Sequence, residues 1–537
     1  MSSKSFWSMF SKRSAICFFL VIALFFSCIM RVAVVATSNY SAVQNKQSSL
    51  RLTASVLRGT VYDCNMVPVT NSKTKIIAAV SPTPRAITAI SSVLSGEELI
   101  NVLERLKAGK PVLCEVPQII ECDGISCITV YEHNSTETKA LHLVGYTDSE
   151  SHGVSGIEKA YDKYLYSDKK AEFVYTTDGG GDVLVGIEPE IENDTSVIAA
   201  GVVSTLDINI QSVAEAAASK IECGAVLIAD AATSKIRGLA SVPNYDVTNL
   251  SDYLNAENSP LLNRALAAYS VGSVFKPCVA AAGIESGKGS FCYTCTGSTK
   301  IIDRYFKCHK LSGHGDMNLK SGLANSCNTF FYNFAFEVGG ETIYNTASAL
   351  GFGRSMDICD GISCASGSLP SSYSLSNIAH LANFSIGQGE LLLSPVAMLN
   401  LYCAVASNGE YNIPSVVEGT LSGGAFKAYD IGKRTRVMKK ETASVLREYL
   451  SAVIEEGTGT AAKPQTVSAA GKTATAQTGR YENGSEICAG WFCGFFPADN
   501  PKYTVIVFSE NTEKQSATCG EIFAEIADRI ADMKNIK

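Results

Sequence analysis

The chain carries little charge and no excess of positive charge. Of its 537 residues, 18% are Asp, Glu, Lys or Arg, and the formal net charge is −7. A phosphate-binding domain would be strongly basic, so the balance argues against nucleic acid as a partner. Histidine is scarce, with six in the chain, and none is well placed to serve as the base of a hydrolase-type dyad. Acidic residues are missing from the N-terminal segment, where the first is Asp63. The chain is nonetheless 46% hydrophobic, enough to bury large cores and too much for a disordered polymer. Its length suits about three to four units of ordinary size.

The acid-free segment contains an apolar run from Ala15 to Met30, interrupted only by Ser27, and a continuation from Val32 to Ala36. A bilayer span needs about 20 residues. Lys4, Lys12 and Arg13 precede the run. The positive-inside rule then keeps residues 1–14 cytoplasmic and exports the chain beyond a single-pass anchor at 15–36. A cleaved signal peptide is the alternative, but no clear A-x-A site lies after the run. Residues 37–196 are expected to form a Ser-rich stalk, Thr37 to Val56, and an α/β pedestal module. Residues 197–537 form a denser domain. There, Gly224 to Ala231, Lys235 to Val242, Gly490 to Phe496 and Tyr503 to Glu510 read as strands. Gln211 to Cys223 and Ile522 to Met533 read as helices. Strands at both ends with helices between them predict an α+β layered fold.

Eighteen cysteines, most of them on the exported side, permit disulfides. A bridge between Cys295 and Cys308 is expected to close one turn-rich loop. Cys292, Cys295, Cys308 and His309 are also zinc-type ligands, but disulfides or buried thiols are the preferred reading. The hexapeptide Cys-Asp-Gly-Ile-Ser-Cys occurs twice, at Cys122–Cys127 and Cys359–Cys364.

Three short patterns occur in one order: Ser273-Val274-Phe275-Lys276, Ser326-Cys327-Asn328 and Lys472-Thr473-Ala474. Each alone is weak. Ser167 to Lys170 also matches S-x-x-K, and Ser509 to Asn511 also matches S-x-N. Context favours the first set. Pro277 is tolerated only in a first helical turn, which puts Ser273 at a helix N-terminus with Lys276 one turn along. Free N–H groups there suit a developing oxyanion. A serine hydroxyl needs a base, and a desolvated lysine near a second cation, Lys472, can be one. Ser326 and Asn328 fall in a tight connection between two helices, Leu319 to Ala324 and Thr329 to Val338. Ala470 to Thr478 alternates as a strand whose edge can pair with a peptide.

The triple S-x-x-K, S-x-N, K-T-G resembles the signature of penicillin-binding proteins and serine β-lactamases. The surroundings resemble the class B, monofunctional, penicillin-binding proteins. Arg58-Gly59-Thr60-Val61-Tyr62-Asp63, His142 to Tyr146 and Gly153 to Glu158 look like their N-terminal motifs. Thr205-Leu206-Asp207, Asn263-Arg264-Ala265, Ile386-Gly387-Gln388-Gly389, Gly457-Thr458-Gly459 and Trp491-Phe492 match further along. The resemblance implies a serine D,D-transpeptidase that cross-links peptidoglycan stem peptides and is acylated by β-lactams. By that resemblance Ser273 is the nucleophile, Lys276 its base and Ser326 a proton relay, while Asn328 bonds the substrate amide and orients Lys276, and Lys472 shapes the field. Thr473, Ala474 and Thr475 line the substrate strand. No metal or cofactor is implied, and a polytopic membrane glycan polymerase is the implied partner.

The sequence departs from the family at two places. Ala474 stands where glycine is usual, and its methyl is expected to hinder bulky β-lactams if it faces the cleft, or merely to pack if it faces the domain. Cys64-Asn65 replaces the usual turn residues after Asp63. Two rivals share the residues: a β-lactamase or carboxypeptidase in which water accepts the acyl group, and a non-catalytic β-lactam sensor.

Overall fold

A computed structural model describes residues 3–37, 49–135, 137–178, 180–184, 186–430, 432–482, 485–510 and 515–536. Most of the expected stalk, 38–48, and Asn511 of the second S-x-N match lie outside these residues. Ser3–Thr37 is one helix. Within it Arg13–Val34, 22 residues with mean hydropathy 2.5, is long and apolar enough to cross a membrane.

The chain divides into two compact units. The first contains residues 1–57, 74–131 and 169–194. Ser49–Val56, expected as stalk, is a strand paired antiparallel with Lys170–Thr176, which pairs in turn with Glu190–Asn193. A second three-stranded sheet is centred on Lys73–Val80. It shares a core with helices Pro84–Val93 and Gly96–Leu106, in which Ala78, Val80, Ile90, Val102 and Leu106 are buried.

The second unit contains residues 58–73, 132–168 and 195–537. A single cut near residue 196 therefore does not describe the packing, because Thr60–Tyr62 pairs in parallel with Gly201–Ser204; a buried ion pair ties the earlier segments 58–73 and 132–168 to each other. The Arg58 guanidinium donates to Glu158 Oε2 at 2.7 Å and to the Ser151 carbonyl at 2.6 Å, and it meets Asp162 at 2.8 Å. His133 contacts the other Glu158 oxygen at 2.9 Å. Burial would raise the Glu158 pKa, but His133 and Arg58 together hold it below the ordinary carboxylate value. Removing one partner of such a pair strands the other without solvent. Glu158→Ala is expected to destabilise the protein by about 3–5 kcal/mol, read from denaturant unfolding. The turn after Asp63 closes despite Cys64-Asn65. The Asp63 carboxylate accepts N–H bonds from Asn65 and Val67, both at 2.8 Å, and Met66 takes the positive φ of 64°.

Both Cys-Asp-Gly-Ile-Ser-Cys hexapeptides form the same tight turn. The first Cys pairs with the Ile three residues on, in Cys122–Ile125 and Cys359–Ile362. Gly124 and Gly361 supply φ of 86° and 80°, values that glycine adopts at no steric cost.

The site rests on a five-stranded antiparallel sheet made of β1 (Gly224–Asp230), β2 (Ile236–Val242), β3 (Ala470–Glu482), β4 (Ser485–Phe496) and β5 (Tyr503–Ser509). Their order is β2-β1-β5-β4-β3. Side chains alternate between its two faces. Val226, Ile228, Phe492, Val505 and Val507 join a core with α1 (Ile208–Ala218) and the C-terminal helix Gln515–Lys534. Ala225, Leu227, Trp491, Ile506 and Phe508 join the larger core on the other face. Burial on both faces explains why β1 reads as a continuous apolar run. Each fully buried large side chain contributes about 1.5–3 kcal/mol. β3 is a sheet edge, so among the described residues one side of its backbone has no strand partner.

Candidate active site

Ser273 lies in the 3-10 turn Gly272–Phe275, and α2 (Lys276–Glu285) begins directly after it with Pro277 in its first turn. This is the helix start that Pro277 requires. The turn is fixed from three sides. The Gly272 N–H donates to the Gly387 carbonyl at 2.9 Å, and a Cβ at Gly387 would lie 2.0 Å from the Gly272 oxygen. That contact is the physical content of Ile386-Gly387-Gln388-Gly389. The Tyr402 hydroxyl donates to the Val274 carbonyl at 3.0 Å, and the Trp491 indole N–H donates to the Ser270 carbonyl at 2.9 Å. Ser273 itself is half-buried, so its hydroxyl is placed on a rigid turn and remains reachable.

Lys276 points inward and is fully buried. Its Nζ donates to the Ser326 carbonyl at 2.7 Å and to Asn328 Oδ1 at 2.8 Å, and it lies 3.2 Å from Ser326 Oγ. Burial pushes its pKa down to about 7. A neutral amine keeps two N–H donors for the two carbonyl acceptors and has a lone pair left to take a proton. Ser326 comes from the connection between α3 (Leu319–Ala324) and α4 (Asn328–Val338), and Asn328 is the first residue of α4. Ser326 has φ of 52°, a left-handed conformation that is uncommon for a non-glycine residue and is seen at functional turns.

Lys472 is also fully buried. Its pKa lies well below the ordinary lysine value, first because of burial and then because of Lys276. Its Nζ donates to the Thr473 carbonyl at 3.1 Å and reaches Thr458 Oγ1 at 3.5 Å, and the Thr458 and Thr473 hydroxyls are 3.1 Å apart. Thr458 is a site residue that the three motifs do not contain. Its signal is present in Gly457-Thr458-Gly459. A Cβ at Gly457 would lie 2.3 Å from the Ala324 carbonyl, so glycine lets this loop close on the end of α3. Thr475 is exposed on the β3 edge, and Thr473 is nearly buried.

One open alternative is decided here and one expectation is corrected. The Ala474 methyl does not face the cleft. Ala474 is 3% exposed, and its Cβ lies 3.4 Å from where a Gly272 Cβ would stand. The methyl therefore packs beneath the serine turn. Ala474→Gly consequently offers no selective relief for bulky β-lactams. Ala474→Val overpacks the contact, at a cost of about 1–3 kcal/mol. It is expected to slow acylation by small and bulky β-lactams in the same ratio, which stopped-flow kinetics would read. The correction concerns cysteine. All the cysteines are free thiols, so the expected Cys295–Cys308 bridge is not formed.

The two decoy motifs are elsewhere. Ser167 precedes the strand Lys170–Thr176, and Ser509 is buried at the end of β5.

A family described as "Penicillin binding protein transpeptidase domain" matches residues 224–531, more than half of the chain. Stage V sporulation protein D of Bacillus subtilis is 26% identical over 412 residues, covering 72% of this chain and 61% of that protein. Peptidoglycan D,D-transpeptidase MrdA of Acinetobacter baumannii is 27% identical over 419 residues, covering 70% and 60%. The chain thus spans about three fifths of the length of these curated relatives. The crystal structure of penicillin-binding protein 3 from Mycobacterium tuberculosis, complexed with aztreonam, matches with a TM-score of 0.65 at 21% identity, covering 91% of this chain and 98% of that one. A D,D-transpeptidase domain from Eggerthella lenta matches with the same TM-score and identity, covering 90% and 100%. At these identities the structural likeness establishes the fold.

Proposed function

The chain belongs to the penicillin-binding protein transpeptidase family, and from this we propose that it is a peptidoglycan D,D-transpeptidase, anchored by its N-terminal helix with the catalytic domain outside the membrane. The observation that carries the reading is Lys276, a buried amine bonded to both polar residues of the S-x-N motif. In the proposed reaction Ser273 Oγ attacks the carbonyl of the penultimate D-Ala of a stem peptide, and Lys276 takes the hydroxyl proton. The Oγ–C bond forms, the C–N bond to the terminal D-Ala breaks, and the proton passes through Ser326 to the leaving nitrogen. Backbone N–H groups of Ser273 and Thr475 stabilise the oxyanion. Asn328 holds Lys276 and the substrate amide, Lys472 shapes the field, and Thr473 and Thr475 receive the terminal carboxylate. The substrate lies against the β3 edge as an added strand. An amine of a neighbouring stem then displaces Ser273 and restores the free enzyme. β-Lactams acylate the same oxygen. The partner proposed for the full assembly is a polytopic membrane glycan polymerase.

The test is incubation of the purified full chain with a stem peptide ending in D-Ala-D-Ala and an amine-bearing acceptor. D-Ala release with a cross-linked product supports transpeptidation. D-Ala release with only the hydrolysed donor indicates the carboxypeptidase rival, and no release indicates the sensor.

A further inference from the structure

The hairpin of Ser298–Ile301 and Arg304–Lys307 differs in charge from the rest of the chain. Between residues 298 and 311 there are four cations, Lys300, Arg304, Lys307 and Lys310, and one carboxylate, Asp303. The chain as a whole has a formal net charge of −7. Lysines before and after this stretch are neutralised: Lys288 meets Glu337 at 2.6 Å, and Lys320 meets Glu448 at 2.9 Å. The four cations of the stretch are exposed and have no ion pair among the described residues.

Strand pairing sorts the hairpin into two faces. Thr299 lies opposite Phe306, Lys300 opposite Tyr305, and Ser298 opposite Lys307. Side chains alternate along each strand. One face is seated beside the S-x-N motif. Its buried Ile301 packs with Ala382 and with Tyr332 of α4, and Phe306 and Ile386 border the same cluster. The Phe306 and Tyr332 rings meet edge to face at 5.6 Å. The other face carries Lys300, Tyr305 and Lys307, all exposed.

The stretch also leaves three large apolar side chains in solvent. Ile302 is 64% exposed, Tyr305 67% and Leu311 70%. Apolar side chains exposed singly are normal, whereas a group of them marks an interaction site. Ile302 stands out further. It is the first residue of the two-residue loop between Ile301 and Arg304, and its φ is 58°. Glycine or asparagine is the ordinary choice at such a position, and a β-branched residue there is strained. The Ile302 side chain adds nothing to the core and costs the backbone, so its role lies outside the fold.

We propose that this hairpin docks on an anionic phospholipid surface, with Ile302 and Tyr305 entering the headgroup region and the four cations held by lipid phosphates. An acidic polymer such as peptidoglycan would engage the cations and the ring but offers no medium for an aliphatic tip. A lipid interface takes all three: phosphates meet Lys and Arg, tyrosine sits at headgroup level, and the branched aliphatic group enters the acyl boundary. The chain also carries a helix long and apolar enough to cross a membrane, Arg13–Val34. The inference rests on the membrane-anchored part of the proposed function and not on acyl transfer. Docking brings the S-x-N side of the site to the lipid surface, because the seated face of the hairpin rests on α4.

The experiment uses the full chain reconstituted in nanodiscs of phosphatidylcholine with or without phosphatidylglycerol. Tyr305→Trp places a reporter on the exposed face, and the parent chain with its two tryptophans supplies the background. In discs with phosphatidylglycerol its emission should shift to the blue, and lipid brominated in the acyl chains should quench it beyond the parent. Neither change should occur in phosphatidylcholine alone, and added salt should reverse both. Adding Arg304→Gln should lower the ratio of docked to free hairpin about fivefold. Lys300→Glu, Arg304→Glu and Lys307→Glu together should abolish docking. Ile302→Gly relieves the tip, so it should melt no lower than the parent and yet lose quenching. Salt reversal is read without any charge variant. Solvent-like emission in both discs, or equal quenching in both, would overturn the inference. A shift that appears only on adding soluble peptidoglycan fragments would also overturn it and assign the hairpin to that polymer. No stem peptide is turned over, so failure of docking is separate from failure of transpeptidation, and retention of the chain in the disc reads the anchor by itself.

Discussion

Ser273→Ala is expected to abolish covalent attachment of labelled penicillin while leaving the melting temperature unchanged. The substitution removes one half-buried hydroxyl from a turn whose position is set by other groups. Gly272 bonds to Gly387, Tyr402 to Val274 and Trp491 to Ser270. None of these bonds involves the serine side chain. The proposed nucleophile is lost and the scaffold remains, so the expected loss of label is complete and not a weakened affinity. Gel fluorescence after exposure to a labelled penicillin, with a thermal melt of the same preparation, gives both readings. Undiminished label in Ser273→Ala would remove this serine from the chemistry.

Lys276→Ala is expected to slow acylation by about 10² or more, the usual size of a general-base contribution. The stability change should be small, because two effects oppose each other. The Ser326 and Asn328 carbonyl groups lose a donor, which costs about 1–3 kcal/mol, while the burial penalty on an amine disappears. The wild type should also show a pH signature. The ammonium form cannot accept a proton, and burial lowers the pKa of Lys276 to about 7. Acylation should therefore be slow below this value, rise as pH passes through about 7, and level off above it. In Lys276→Ala the same rise should be absent. A flat wild-type profile across that window, or near wild-type acylation in the variant, would exclude Lys276 as the base. Stability depends on the same group with its own sign. The folded state disfavours the proton that the unfolded chain still binds, so this contribution to stability grows as pH rises above about 7.

The candidate site is legible in the sequence because the pattern that marks it is local. Pro277 ties the start of α2 to the serine turn, and the helix begins at Lys276 as that proline demands. Leu319–Ala324 is a helix with the expected bounds, and α4 begins one residue before the expected Thr329. The strands of the sheet are legible as apolar runs, but their order is not. β1 lies between β2 and β5, and a pairing across most of the domain leaves no trace in local periodicity.

What the sequence leaves open has the same origin. Whether the Ala474 methyl faces the cleft depends on which of two strand faces meets the serine turn, and only the contact with Gly272 decides it. Adjacency in sequence places His309 beside Cys308, whereas strand register brings His314 beside Cys295. Cys327 reads in the sequence only as the variable residue of S-x-N. Position along the chain assigns Arg58 to Asp63 and Gly153 to Glu158 to a preceding module, whereas the pairing of Thr60–Tyr62 with Gly201–Ser204 and the stacking of Tyr161 on Tyr429 place these segments in the second unit.

The most direct test of the central claim is to locate the acyl group. The full-length protein is incubated with a penicillin, digested, and the modified peptide is sequenced by mass spectrometry. The account predicts one penicilloyl adduct per chain, on Ser273. An adduct on Ser167, Ser326 or Ser509 with Ser273 unmodified, or no adduct on folded protein, would contradict it.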